Sequence, residues 1–226
     1  PQKGSGFRSL CVDPADFQRQ MAFLHGLGYR GLSMGALQPY LRGERSGKVF
    51  GITFDDGYLN NLVNALPTLQ WYGFSATCYA ISGMLGQTNS WDLDKGVPPS
   101  PLMTALHLRQ WVGGGQEVGA HTRHHVRLPT LDVVAASDEI VLCKTDLEQI
   151  TGKAVEHFCY PYGEYGPEHV AMVQQAGYVS ATTTRRGRSA SGDPMLELPR
   201  VPVLRRTSRP LLWWKLVSGY EDRRRS

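Results

Sequence analysis

Val49-Phe50-Gly51-Ile52-Thr53-Phe54-Asp55-Asp56-Gly57-Tyr58 is the stretch from which the chain is best read. A run of nearly continuous apolar character stops at two adjacent carboxylates, and a glycine lets the backbone turn. Such a run reads as a strand buried on both faces, the kind found in parallel sheets. Residues 75–81, 117–120, 157–160, 179–183 and 198–203 share the pattern. Between and around them, residues 14–27, 59–72, 104–112, 131–150 and 167–176 show helical spacing. Asp13, Thr130 and Asp132 are candidate N-caps, and Gly28, Gly73, Gly152 and Gly177 are candidate stops.

Strands alternating with helices imply an α/β fold. At least six strands and no dinucleotide fingerprint favour a barrel of strand–helix units, with an open doubly wound sheet as second choice. In both, reactive groups gather at the carboxyl ends of the strands. The 226 residues, 41% of them hydrophobic, suffice for one sizeable core, so residues 1–226 are expected to form a single domain. The chain begins at Pro1 rather than Met, which points to a missing N-terminal segment.

The bulk numbers also exclude. Net charge is +4, from 24 Lys plus Arg against 20 Asp plus Glu, with part of the excess in the run Arg223-Arg224-Arg225, read as a solvated tail. No basic stripe interleaved with aromatics appears, so nucleic acid is not an expected partner. No stretch reaches about 18 apolar residues, so no transmembrane segment is expected. Cys11, Cys78, Cys143 and Cys159 show no CxxC spacing, which argues against a thiolate zinc site. Cys78 and Cys159 lie in strand-like runs and read as small buried hydrophobes.

Three strand ends carry chemistry. At Asp55-Asp56-Gly57, Asp-Gly could simply make a turn with Asp56 capping the next helix. That explains one carboxylate, whereas two adjacent ones repel unless a cation lies between them. At Glu117 to His125, His121 and His125 are four apart, so a helical turn or a tight loop can bring both imidazoles to one point. His124 is out of phase and reads as outward or supporting. Two histidines and one carboxylate leave coordination positions open, as a catalytic metal site requires. The third end, His157 to Gly163, turns at Pro161-Tyr162-Gly163, and taken alone it is an ordinary turn.

Together, Thr53-Phe54-Asp55-Asp56-Gly57, His121-Thr122 to His125 and Tyr160-Pro161-Tyr162-Gly163 resemble the polysaccharide deacetylase family, the NodB-homology or carbohydrate esterase family 4 group. Ala176-Gly177-Tyr178 and Ser180-Ala181-Thr182 fit the same order, so the resemblance runs from about residue 12 to about residue 203. It leans toward the poly-N-acetylglucosamine deacetylase-like branch. The resemblance implies a distorted (β/α) barrel of about seven strands. It implies that Asp56, His121 and His125 hold a divalent ion, most often Zn²⁺, and that Asp55 is the catalytic base. It further implies that the backbone N–H of Tyr162 helps stabilise an oxyanion. The substrate implied is an N-acetylated glycan and the reaction removal of its acetyl group. A bacterial envelope setting follows by analogy.

Two departures stand out. Cys159 occupies the place where the family often has an arginine bracing the catalytic aspartate, and Arg200 is the candidate to brace Asp55 from another strand. No histidine follows His169, so the family's late acid histidine is absent, and residues 2–12 also lack one. Trp91, in the irregular stretch 83–101, is the candidate sugar contact together with Pro161 and Tyr162; Asp92 and Asp94 stand beside it. Trp71 and Trp111 read as core. Trp213 and Trp214 read as part of an amphipathic segment packed on the barrel. Two alternatives keep the same fold: an amidohydrolase acting on small amides, and a catalytically silent carbohydrate-binding protein. Oligomeric state is left open by the sequence.

Overall fold

The computed structural model describes residues 9–224. Helix α1 (Pro14–Gly26) starts at Asp13, whose side chain accepts from the Ala15 N–H, with Pro14 in the first turn. Strand β1 (Arg30–Leu32), helix α2 (Met34–Leu41) and strand β2 (Val49–Gly51) follow. Strands β3 (Thr53–Phe54), β4 (Thr77–Ala80), β5 (Glu117–Ala120), β6 (His157–Cys159), β7 (Ser180–Arg186) and β8 (Leu198–Arg200) lie side by side in that order, every pairing parallel. The six-stranded sheet curls into a half-barrel.

The expected strand 49–54 is interrupted. Ile52 donates to the Leu32 carbonyl on one side and accepts from the Thr77 N–H on the other, both at 2.9 Å. The run therefore changes partners at Ile52, leaving β1 and β2 as a two-stranded sheet that leads into the larger one. Counted as one run, it gives seven parallel segments among the described residues, in line with the expected distorted barrel. Strand β1 and helix α2 went unread in the sequence. A three-residue strand is too short to show periodicity, and the helix carries Pro39 within it.

The other helices are α3 (Leu66–Tyr72), α4 (Ala105–Gly113), α5 (Val133–Thr151), α6 (Pro167–Gln175) and α7 (Arg209–Val217). Helix α5 starts at Asp132, which accepts from Ala135, and Gly152 ends it in the left-handed conformation. The expected helix 59–72 opens as a π-helical turn, Asn61–Ala65, before α3. Pro67 has no N–H to give back to the preceding turn, so that turn widens.

Alternation sets the two layers. Outward residues Cys78, Val118, Phe158 and Ala181 pack under Leu24, Leu69, Leu108, Ile140 and Val173 from the helices, in one core that also buries Trp111. Inward residues Tyr79, Cys159 and Leu198, from β4, β6 and β8, meet Met34 and Leu41 of α2, which plugs the barrel. Trp71 is a correction: it lies on the outer face of α3, 82% exposed, because Leu69 faces the core from that helix instead.

Candidate functional site

Strand ends deliver every candidate. Asp55 and Asp56 leave β3, His121 leaves β5, the Pro161-Tyr162-Gly163 turn leaves β6 and Arg200 ends β8. The His121 to His125 segment is a tight loop rather than a helical turn, with Thr122 at φ 62° and His125 at φ 55°. Asp56 (φ 69°) and Tyr162 (φ 59°) are also left-handed. These are the non-glycine residues with positive φ among the described residues, and all four stand at this one site. Such conformations cost of order 1–3 kcal/mol each and persist where the surroundings hold them for a purpose.

Asp56, His121 and His125 converge. One potential donor atom from each lies within 4.8 Å of the others. Nε2 of His121 is 3.3 Å from Asp56 Oδ1, and Nε2 of His125 is 3.4 Å from the same oxygen. Their Nδ1 atoms are engaged elsewhere, His121 with the Cys159 carbonyl at 2.7 Å and His125 with the Tyr162 hydroxyl at 3.1 Å. Fixing Nδ1 by an outer partner and turning Nε2 to a common point is how metal-ligating histidines are usually oriented.

Asp55 is held differently. Arg200 forms a two-pronged pair with it, Nη1 to Oδ1 at 2.7 Å and Nη2 to Oδ2 at 2.8 Å. The same guanidinium reaches Thr53 Oγ1 at 3.2 Å and Cys159 Sγ at 3.4 Å. Strands β3 and β8 are the two edges of the six-stranded sheet, so this pair spans the gap between them. Arg200 thus fills from β8 the space above Cys159.

Charge follows the geometry. Burial alone would raise the Asp55 carboxyl, but the Arg200 guanidinium overrides it by charge and hydrogen bonds and brings it to about 2. Burial disfavours charge on His121 too, yet Cys159 and the Asp56 carboxylate beside it raise it well above an ordinary histidine. His125 is driven down to about 2, by burial and then by the charge on His121. The two imidazoles are thus pushed in opposite directions, one toward holding a proton and its neighbour away from it, with a carboxylate between them. A cation accepting both Nε2 lone pairs would replace that proton, and the donor set suits Zn²⁺ or a similar ion.

The walls come from three segments. Trp91, in a short turn (Ser90–Lys95), packs on the His125 ring at 4.5 Å, and Tyr162 packs on His125 from another side at 4.6 Å. Arg127 and Lys95 approach the Tyr162 ring at 4.2 and 4.9 Å. Lys95 pairs with Asp92, and Arg127 with Glu164. Pro161 is buried beneath the turn. Asp94 makes no hydrogen bond or ion pair with these groups among the described residues. His169 caps α6 by accepting from the Gly166 N–H, and so lies outside the cluster.

Sequence reasoning missed the support behind the histidine loop. Glu139 on α5 accepts from the backbone N–H groups of Arg123 and His124, at 2.8 and 2.9 Å, and meets His124 Nδ1 at 2.6 Å. Asp146, two turns further on, takes Arg123 Nε at 3.0 Å and the Ser82 hydroxyl at 2.8 Å. The seven-residue spacing of two acids beside the buried stripe of α5 was the available signal.

Comparison with known proteins places the chain in a family. A family model described as Polysaccharide deacetylase matches residues 42–181. The Bacillus subtilis (strain 168) protein YxkH, a candidate polysaccharide deacetylase, is 27% identical over 201 residues, covering 88% of this chain and 68% of its own length. BC0361, a polysaccharide deacetylase from Bacillus cereus, superposes with TM-score 0.78 at 27% identity over 95% of this chain and 65% of its own. The Streptococcus pyogenes deacetylase PplD, solved with acetate, has the same fold, with TM-score 0.82 at 23% identity over 92% of this chain and 89% of that one.

Proposed function

Since the chain belongs to the polysaccharide deacetylase family, we propose that it is a divalent-metal hydrolase that removes N-acetyl groups from an N-acetylated glycan. The observation that carries the proposal is the convergence of Asp56, His121 and His125 beside an Asp55 clamped by Arg200. Asp56, His121 and His125 would hold the ion. When bound, a divalent ion acts as a Lewis acid and makes water a competent nucleophile near neutral pH.

The remaining tasks fall to the chain. Asp55 takes the proton of the attacking water on a carboxylate oxygen, and the amine gains one proton as the C–N bond breaks, so that acetic acid and the free amine together account for the water consumed. Arg200 keeps that carboxylate ionised and fixes its plane, acting as a positioning residue. The N–H of Tyr162, in its left-handed turn, is the proposed donor to the oxyanion of the acetamide. Trp91, Pro161 and Tyr162 form the proposed wall against the sugar, with the indole offering a flat face for stacking. Residues 1–226 are taken as one catalytic domain acting on envelope polysaccharide.

Acetate release should be followed on N-acetylglucosamine oligomers and on small amides, before and after chelation. Release from the oligomers alone, lost on chelation and restored by Zn²⁺, is the expected result. Turnover of small amides with no release from the oligomers would overturn the substrate assignment.

A further inference from the structure

Helix α7 reverses the usual order of a surface helix. At about 100° per residue, Arg209, Pro210, Trp213, Trp214 and Val217 share one arc, and all five are exposed. The opposite face buries Leu212 and Lys215. Lys215 Nζ bonds the Pro202 carbonyl and Glu221 Oε1, both at 2.7 Å. Surface helices ordinarily bury apolar groups and expose charge. Here a lysine is inside and two tryptophans, 38% and 51% exposed, are outside. The segment packs on the barrel as expected, through Leu212, while its tryptophans face away from that contact.

The surrounding charge is one-sided. Arg205, Arg206, Arg209, Arg223 and Arg224 are all exposed. The two acids between residues 204 and 224 are taken up internally: Glu221 is fully buried against Arg186 and Lys215, and Asp222 pairs with Arg188. No ion pair joins the five arginines to a carboxylate among the described residues. Trp214, Tyr220, Arg223 and Arg224 line one shallow cavity, with the Arg224 guanidinium 4.2 Å from the Tyr220 ring centroid. Trp214 and Tyr220 therefore lie beside Arg223 and Arg224 at this cavity.

We propose that the α7 face docks on an anionic lipid bilayer, its tryptophans entering the headgroup layer and its arginines pairing with lipid phosphates. Indole rings favour that layer, and each basic group near an anionic leaflet adds attraction. A second copy of the chain fits poorly, because a twofold contact would set Arg209, Arg223 and Arg224 against their own copies. No helix among the described residues is long and apolar enough to cross a membrane, so the contact is peripheral.

The test is flotation with phosphatidylcholine vesicles, with and without phosphatidylglycerol, while tryptophan emission is recorded. Binding only to the anionic vesicles, with a blue shift, is expected. The triple variant Arg205→Gln, Arg206→Gln, Arg209→Gln should partition roughly tenfold or more weakly. The double variant Trp213→Ser, Trp214→Ser should lose the blue shift. Both should keep the wild-type circular dichroism spectrum, which checks the fold independently of the proposed enzymatic activity. Equal binding to neutral vesicles would overturn the proposal. So would unchanged binding by the triple variant, or a solution dimer that the double variant abolishes.

Discussion

The two ends of the barrel each hold histidine and carboxylate, yet they are built in opposite ways. At the floor, Thr77, Glu117, His157 and Ser180 are the first residues of β4 to β7 and form one inward layer. Glu117 accepts from Thr77 and from the Gly35 N–H, His157 Nδ1 meets the Ser180 hydroxyl at 2.8 Å, and Thr77 accepts from the Met34 N–H at 2.8 Å. These bonds tie α2 to the barrel in relaxed backbone. At the mouth, the polar atoms are aimed at one another across a gap, and the backbone beneath them is left-handed at four side-chain-bearing residues. Hydrogen bonds spent on neighbouring side chains and on α2, with His157 Nε2 left 3.5 Å from Glu117, make a structural cluster. Donors held in strain toward a common point make a functional one.

The largest expected contrast comes from removing a ligand at the mouth. Asp56→Ala should abolish stoichiometric metal, measured by elemental analysis, and lower acetate release about a thousandfold or more while the variant still unfolds cooperatively at the thermal midpoint of the chelated wild type. A variant that keeps both metal and rate would erase the distinction between the two ends. At the floor the signs reverse. His157→Ala should cost about 1–3 kcal/mol in urea unfolding and leave metal content and turnover unchanged. A His157 variant that lost turnover at full stability would make the floor part of the site.

Arg200→Ala sharpens the comparison at intermediate size. Turnover should fall roughly 10- to 100-fold with metal retained, because the arginine acts through Asp55. The same variant should change acid tolerance. A carboxyl depressed from about 3.9 in the unfolded chain to about 2 in the folded one stabilises the fold above the unfolded value. That contribution fades as pH falls through about 2. Acid unfolding of the wild type should therefore begin at lower pH than that of Arg200→Ala, and coincident curves would deny the pair its role in stability. Trp91→Ala is expected to give the smallest effect, a few-fold rise in KM at constant kcat if the indole stacks on sugar; a fall in kcat alone would reassign it to holding His125.

Much of this was legible because strand ends announce themselves. Apolar runs ending at Asp55-Asp56, His121 and Pro161 located the carboxyl edge of the sheet before any contact was known, and Gly73 and Gly152 marked helix ends that the structure shows. Arg200 could be proposed because Cys159 left its partner unbraced, although only three dimensions show that β3 and β8 are the facing edges. Trp71 misled because an aromatic near a helix end has no periodic partner to say which way it points. The same applies to α7, where the buried Lys215 finds Glu221 through a turn no spacing predicts. Glu139 and Asp146 were hidden because surface acids on a helix look alike until a loop docks on them.

Metal content and acetate release, measured together on wild type and Asp55→Asn with N-acetylglucosamine oligomers, test the central claim most directly. Bound metal in both proteins, with release lost only in the variant, is the predicted result. Absence of metal from both, after growth and purification with Zn²⁺ supplied, would contradict it and reduce Asp56, His121 and His125 to turn and core residues.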